Sequence, residues 1–178
     1  KAHSRALAIR EKILGAEHPD VAQTLNNLGV ANQQRGAYDS ATRYFEEALA
    51  HWRRVNDASS VGRALNNLAA IAIAQQAFER CRALNAEALT IFESEGDTAS
   101  VALTLQAMGD TSRATARPDE AEQYYRRALD TWQSLDDRLG AAGAQLDIGS
   151  LAVDRGLLAQ GRAALRQAID GFKTLGYT

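Results

Sequence analysis

The chain has 178 residues, of which 46% are hydrophobic and 24% are charged, and its formal net charge is -2. Lysine and arginine nearly balance aspartate and glutamate, so no global charge favours a nucleic acid or an anionic membrane as partner. One cysteine, Cys81, excludes an internal disulfide and any multi-cysteine metal site. The longest apolar run, residues 68–74, is far shorter than the ~20 residues that cross a bilayer. No signal-peptide pattern opens the chain, so we expect a cytoplasmic protein without membrane partners.

A repeat of 40 residues organises the chain. It is clearest in four matching pairs of residues, Leu28-Gly29, Leu68-Ala69, Met108-Gly109 and Ile148-Gly149. A fixed period of this length indicates stacked repeats that share one continuous core. We therefore predict one array over residues 1–178, with a half repeat at 1–20 and full repeats at 21–57, 58–97, 98–137 and 138–178. We also expect the chain to be a fragment of a longer array with uncapped ends.

Each repeat is predicted to be a helical hairpin. Apolar residues recur every three or four positions, which is the pattern of amphipathic helices rather than strands. In the first full repeat one apolar face ends near Gly36 and the second ends near Asp57. The predicted fold class is all-α, a right-handed superhelical solenoid of about nine helices, with the half repeat contributing one helix.

Helix boundaries follow from local residue types. Gly36 and Gly156 suit the left-handed conformation that ends a helix, whereas Gln76 and Ala116 occupy the same place without that freedom. Pro118 fits the first turn of a helix, where a missing N–H group costs nothing. Three aspartates precede first helices and are predicted N-caps: Asp57, Asp97 and Asp137.

Small and aromatic residues predict the packing. Small residues on the first helices are expected to face small residues on the second helices, in the pairs Gly29 and Ala41, Ala69 and Cys81, Gly109 and Ala121, Gly149 and Gly161. An aromatic column is expected in the core between repeats: Trp52, Phe92, Trp132 and Phe172. The pattern is broken where Gln145 replaces the leucine of the other repeats and where Asn85 replaces Phe45 and Tyr125.

Catalytic chemistry has little support in the sequence. The histidines His3, His18 and His51 are spread along the chain without metal-ligand spacing, and we interpret them as ordinary surface residues. Residues 140–143 carry two glycines inside a helical pattern but lack the lysine of a phosphate loop. Tyr125 belongs to a buried face, which argues against direct nucleic-acid binding. We predict a protein that is not an enzyme and has no metal or cofactor.

The residues of the first full repeat resemble a known family. Leu25 to Gly29 reads Leu-x-x-Leu-Gly, Gly36 to Tyr38 forms a Gly-x-Tyr turn, and Ala48-Leu49 follows in the second helix. This framework resembles the tetratricopeptide repeat, although the period is 40 residues rather than the usual ~34. The long form is similar to kinesin light chains and Pins-type adaptors, and residues 5–27 resemble the former. It is also similar to the repeat arms of bacterial LuxR-type and SARP-type regulators and signalling ATPases, which the Ala-, Arg- and Gln-rich composition favours.

In such a solenoid the first helices line a concave groove, which is where we expect binding. The spacing assigns thirteen residues to it: Gln23, Asn26, Asn27, Gln33, Arg63, Asn66, Asn67, Leu103, Gln106, Asp110, Arg113, Leu146 and Asp147. The resemblance implies that Asn27 and Asn67 grip the backbone of an extended peptide, as asparagines at this place do in long-repeat relatives. Alternatively, the asparagines are solvated or connect neighbouring repeats, and Asp110 and Asp147 pair with the two arginines.

The predicted function is that of a scaffold whose groove binds an extended peptide segment of a protein partner. Two alternatives remain open on the sequence. In the first alternative, the array is a regulatory sensor arm of a bacterial transcription regulator or signalling ATPase, and its groove holds a ligand or a neighbouring domain of the same protein. Otherwise, copies of the chain associate through the uncapped ends.

Overall fold

The computed structural model describes Arg10, Lys12, Ile13, Gly15 and residues 18–176. Eight helices occupy residues 19–174: α1 (Pro19–Gln33), α2 (Tyr38–Arg54), α3 (Ala58–Ala74), α4 (Phe78–Glu95), α5 (Thr98–Ala114), α6 (Pro118–Ser134), α7 (Arg138–Asp154) and α8 (Leu158–Thr174). The all-α prediction is confirmed, and each full repeat holds one pair of helices. The lone helix expected in residues 1–20 falls largely outside the described residues.

Two compact units divide the chain, Lys1–Ile91 and Phe92–Thr178. In the first unit α1 packs against α2, α2 packs against α3, and α1 also touches α3. In the second unit α5 packs against α6, α6 against α7, and α7 against α8. Helices that follow one another along the chain are therefore the main neighbours inside each unit, as expected for stacked hairpins.

The turns within the hairpins use the left-handed conformation that the sequence predicted. The φ angles of Gly36 and Gly156 are 72° and 75°, and Gln76 and Ala116 adopt 58° and 56°. Each turn closes with a backbone hydrogen bond, such as that from the Arg117 N–H group to a carbonyl of the last turn of α5 at 2.8 Å. Gln76 and Ala116 accept this conformation in spite of the steric cost that their Cβ atoms bring.

The predicted N-caps are also in place. The carboxylates of Asp57, Asp97 and Asp137 accept hydrogen bonds from backbone N–H groups three residues later, at 3.1, 3.1 and 2.8 Å. Pro118 is the first residue of α6. His18 caps α1, because its Nδ1 accepts from the Asp20 N–H group at 3.2 Å. These contacts fix where the helices begin and hence the register of each hairpin.

Glycines on the first helices let aromatic rings of the second helices approach the backbone. A Cβ atom at Gly29 would lie 2.5 Å from the Phe45 ring, and one at Gly109 would lie 2.4 Å from the Tyr125 ring. The prediction that these glycines face small residues is therefore incomplete, since a ring fills the space that each glycine leaves. Gly149 and Gly161 do meet, because a Cβ at Gly161 would lie 3.1 Å from the Gly149 carbonyl oxygen.

Burial confirms most of the aromatic column and corrects two other expectations. Trp52, Phe92 and Trp132 are buried, whereas Phe172 is half-buried. His51 is only 3% exposed, so it is a core residue and not a surface histidine. Leu68 on α3 and Leu49 on α2 are buried, but Leu129, which matches Leu49 in the second unit, is only half-buried.

Gly109→Ala should destabilise the protein by ~1–3 kcal/mol, because the new methyl group overlaps the Tyr125 ring. The matched control is Gly143→Ala in α7, where the nearest atom, Nε2 of Gln106, lies 3.9 Å from the added Cβ. That change should stabilise α7 by ~0.5–1 kcal/mol, since alanine favours a helix interior. Urea unfolding of both variants measures the difference, and equal midpoints would contradict the packing described.

Ala116→Gly should stabilise the protein by about 0.5–1 kcal/mol, because glycine removes the steric cost of the positive φ angle at this position. This steric cost is larger than the conformational entropy that a glycine loses on folding. Ala83→Gly, at an exposed site inside α4, should instead destabilise it by about 1 kcal/mol. Thermal unfolding distinguishes the two, and a lower melting temperature for Ala116→Gly would show that the turn carries no strain.

Candidate functional site

The predicted groove residues fall on two surfaces, one in each unit. We call these surfaces the first-helix faces, formed by α1 and α3 in the first unit and by α5 and α7 in the second. On the first-unit face, Gln23, Asn27 and Arg63 are exposed. The other predicted members of this face are half-buried: Asn26, Gln33, Asn66 and Asn67. The face is therefore rich in accessible or partly accessible amide groups.

A hydrogen bond between two asparagines joins the two helices of the first-unit face. The Nδ2 group of Asn67 donates to the Oδ1 atom of Asn26 at 3.1 Å. This hydrogen bond connects neighbouring repeats, which is one of the alternatives that the sequence left open for the asparagines. Asn67 is half-buried rather than fully exposed. The bond leaves the Oδ1 atom of Asn67 outside the pair, which keeps an acceptor on this face.

Asn27 is oriented from within its own helix. Its Oδ1 atom accepts from the Nε2 group of Gln23 at 3.1 Å, one helical turn away. Both residues are exposed. Because the contact uses the oxygen of Asn27, the amide N–H groups of that side chain remain able to donate to water or to a ligand. Arg63 is held in the same way, through a 2.8 Å hydrogen bond to the Ser60 hydroxyl on α3.

Apolar side chains stand exposed on the second-unit face. Leu103 on α5 is 56% exposed and Leu146 on α7 is 40% exposed, as the groove prediction requires. Leu139 and Val153, seven residues to either side of Leu146, are exposed as well. Residues seven apart lie on one side of a helix, so these three form an apolar stripe along α7. Leu139 was missed as a candidate, although its seven-residue spacing from Leu146 signalled it.

A chain of hydrogen bonds orients the polar centre of the second-unit face. The indole N–H group of the buried Trp132 donates to Oε1 of Gln106 at 2.8 Å. The Nε2 group of Gln106 then donates to Oδ2 of Asp147 at 2.7 Å. Both polar atoms of the Gln106 amide are thus engaged, which fixes its orientation and holds the Asp147 carboxylate toward α5. Sequence reasoning placed Trp132 in the core but did not connect it to this face.

Two further contacts involve predicted residues. The Tyr125 hydroxyl donates to Oδ1 of Asp110 at 2.7 Å. Burial raises the pKa of Tyr125 well above its ordinary value, and the bond to Asp110 adds to the effect. Arg113 donates to Oδ2 of Asp154 at 2.6 Å, and this hydrogen bond raises the pKa of its guanidinium group. The alternative in which Arg113 pairs with Asp110 or Asp147 is therefore wrong, because the ion pair is with Asp154.

The second-unit face carries an excess of negative charge. The three aspartates of α5 and α7, Asp110, Asp147 and Asp154, outnumber the two arginines of these helices, Arg113 and Arg138. Burial raises the pKa of Asp147 above the ordinary range, and the nearby charge of Asp110 raises it further. The hydrogen bond from Gln106 and the charge of Arg113 oppose this shift without cancelling it. An ionised, half-buried Asp147 is therefore a costly group that a bound hydrogen-bond donor or cation would stabilise.

Metal-ligand clusters and membrane-spanning helices are both absent from the part of the chain that the structure describes. Among those residues, no group of three or more His, Cys, Asp or Glu side chains is arranged to hold a metal ion. Within the same residues, no helix combines the length and apolar character needed to span a bilayer.

Asp147→Asn should raise the stability of the protein at pH 7, because it removes an ionised carboxylate whose pKa is raised in the folded state. A carboxylate of this kind lowers the free energy of unfolding at pH values above its pKa in the folded protein. It has no such effect at pH values below its pKa in the unfolded chain, ~3.9. The advantage of the variant should therefore shrink as the pH falls toward that value. Urea unfolding between pH 7 and pH 4 measures this, and a constant difference across the range would contradict it.

Comparison with known proteins gives the family. A family model described as the tetratricopeptide repeat matches residues 1–54 and 60–134. The mouse (Mus musculus) protein named tetratricopeptide repeat protein 19, mitochondrial, is 28% identical over 115 residues, or 65% of this chain and 31% of its own length. The chain thus spans about a third of the curated relatives it matches.

Solved structures share the fold at low sequence identity. BtubC (BKLC) from P. vanneervenii has a TM-score of 0.86 at 23% identity, with 98% of this chain and 72% of that chain covered. A putative kinesin light chain from Podosopora anserina has a TM-score of 0.81 at 15% identity, over 98% and 85% of the two chains. A Rap protein complexed with competence and sporulation factor has a TM-score of 0.80 at 13% identity, over 87% and 43%. Together with the repeat pattern and the helical hairpins, the family match shows that this chain belongs to the tetratricopeptide repeat family.

Proposed function

We propose that this chain binds an extended peptide segment of a protein partner on its first-helix faces. The observation that carries the proposal is the pairing of exposed leucines, Leu103 and Leu146, with polar groups that other residues hold in place. Exposed apolar side chains bordered by polar groups are typical of interaction sites. Side chains that are already oriented lose little entropy when a ligand engages them.

The first-unit face supplies groups suited to a peptide backbone. Asn27 and Gln23 are exposed, and Asn27 retains N–H donors that can meet peptide carbonyl groups. Each such hydrogen bond contributes about 0.5–1.5 kcal/mol net, so several in register give useful affinity without demanding one peptide sequence. Asn67 contributes its remaining acceptor, while its donor is used in the contact with Asn26.

The second-unit face supplies selectivity. Leu103 and Leu146 offer apolar contact, and Asp147 and Asp110 offer acceptors. A neutral or basic peptide with an apolar residue fits this combination better than an acidic one, because the carboxylates of α5 and α7 outnumber their arginines. The fold of a Rap protein solved with competence and sporulation factor supports a repeat array of this kind as a ligand-binding scaffold.

A neighbouring domain of the same protein can occupy these faces as well as a separate partner, as a regulatory arm would require. Both forms of the proposal use the same residues and differ only in the source of the bound segment. Association between copies of the chain is the competing proposal. Sedimentation velocity over a hundredfold concentration range separates it, because self-association predicts a rising mass and peptide binding predicts a constant one.

The proposal is tested with peptides selected from a phage-displayed library of random linear nonapeptides. The double change Leu103→Ala with Leu146→Ala should weaken the binding of at least one class of selected peptides tenfold or more, measured as Kd by fluorescence anisotropy. The lost apolar contact area is the physical reason. Peptides that bind the first-helix faces should contain at least one large apolar residue.

The matched control is Leu135→Ala, which removes an exposed leucine that follows α6 and lies on neither first-helix face. It should leave the Kd unchanged. Equal losses in the control and the double variant would show a general effect of surface apolarity. Unchanged affinity in the double variant for every selected peptide would overturn the proposed site.

A further inference from the structure

A groove runs along the second unit between α6 and α8, with α7 as its floor. It consists of two adjoining cavities of about 420 and 380 Å³, which share Leu129, Gln145 and Gln167. The cavities extend along α8 from Gln160 to Thr174, a distance of ~21 Å at the helical rise. We call this feature the α6–α8 groove. None of the thirteen residues of the predicted binding groove lines it.

The groove exists because the last repeat has smaller or more polar residues than the other repeats. Gln145 stands where the preceding repeat has Leu105, which is buried. Ala164 stands where it has Tyr124, and Gly171 stands where it has Thr131. The same three places hold Leu25, Tyr44 and His51 in the first full repeat. The last repeat therefore lacks one large side chain at its centre.

Ion pairs that connect successive second helices in the other repeats are also replaced. Arg80 pairs with Glu46 at 2.8 Å, Arg53 pairs with Glu87, and Arg127 pairs with Glu93 at 3.4 Å. The partners are 34 residues apart in every case. At the same spacing across the α6–α8 groove stand Gln133 with Gln167, and Arg126 with Gln160. No carboxylate meets an arginine at these places, so the groove stays open.

The groove carries polar groups that the protein itself does not satisfy. The side-chain amides of Gln145, Gln160 and Gln167 line it and form no hydrogen bond with other described residues. Gln145 is half-buried, so its amide is partly shielded from water. An amide that is partly desolvated gains from a partner able both to donate and to accept, which a peptide group does.

Four charged residues line the groove, and three of them, Glu122, Arg126 and Arg155, are already paired, whereas Arg138 lies at the end near Thr174. Arg126 contacts Glu122 at 2.7 Å, and Arg155 contacts Glu122 at 2.8 Å and Asp119 at 2.9 Å. A charged ligand would have to compete with these ion pairs, whereas an uncharged one leaves them intact. The walls between the amides are apolar and include Leu151 and Ala164. Complementarity therefore favours a neutral ligand with an apolar side chain.

We propose that the α6–α8 groove binds an extended, uncharged peptide segment that places one large apolar side chain over Ala164. The incoming side chain takes the space that Tyr124 fills in the preceding repeat, and the three glutamines engage the peptide backbone. A length of ~21 Å accommodates about six extended residues at ~3.3 Å each. The elongated shape favours a peptide over a compact small molecule. This site is separate from the first-helix faces and does not depend on the function proposed for them.

The experiment uses the same phage-displayed nonapeptide library, with binding to the wild-type protein compared with that to Ala164→Tyr. This substitution restores the side chain found at the matching place in two other repeats, Tyr44 and Tyr124. We expect a class of selected peptides, poor in charged residues and carrying a leucine or an aromatic residue, whose Kd rises at least tenfold in Ala164→Tyr. Ala83→Tyr, at an exposed site on α4, is the control and should leave the Kd unchanged.

A second variant distinguishes a blocked groove from a folding defect as the cause of weaker binding. Gln133→Glu with Gln167→Arg recreates the Glu93–Arg127 pair across the groove and should weaken the same peptides by a similar factor. These peptides should keep their affinity for the variant that lacks Leu103 and Leu146, which separates this site from the first-helix faces. The proposal is overturned if no selected peptide loses affinity in Ala164→Tyr, or if the affected peptides are rich in charged residues. NMR titration gives a further check through the side-chain amide resonances of Gln145 and Gln167. The proposal is also overturned if these resonances shift only with non-peptide fragments.

Discussion

The two helices of each hairpin approach each other closely, and the packing of the hairpin core follows from this close approach. Gly29 and Gly109 have no side chain, so the rings of Phe45 and Tyr125 lie directly against the backbone of the first helix. A ring in this position fills the hairpin core and leaves the other side of the first helix free. In the second unit the buried ring is also connected to an exposed residue, because the Tyr125 hydroxyl donates a hydrogen bond to Asp110. Packing and the candidate site are thus connected through one residue.

Small departures from the repeat produce the differences in shape and polarity between the surfaces. Where residues follow the 40-residue pattern, side chains fill the core and ion pairs connect successive second helices. In the last repeat Gln145, Ala164 and Gly171 break the pattern together, and a groove results. The first-helix faces vary in another way, since amides dominate one unit and leucines with carboxylates dominate the other. A regular scaffold can therefore present several distinct surfaces.

The sequence predicted the helices, caps and turns because these depend on local residue types at fixed spacing. Asp57 and Gly36 illustrate this, since each acts on the backbone within a few residues of itself. It also identified exposed groove residues such as Leu103 and Leu146 from helical periodicity. The sequence did not predict which side chains on different helices form hydrogen bonds or ion pairs with each other. The pairing of Arg113 with Asp154 and the link from Trp132 through Gln106 to Asp147 depend on side-chain geometry across helices, which spacing does not determine.

Nuclear Overhauser contacts between a bound peptide and the protein's methyl groups would show whether a peptide lies on the first-helix faces. The measurement uses isotope-labelled leucine and valine methyl groups and an unlabelled peptide whose affinity depends on Leu103 and Leu146. If the peptide lies on these faces, we expect contacts from it to the methyl groups of Leu103 and Leu146. Contacts confined to leucines of the second helices, such as Leu129, would contradict it.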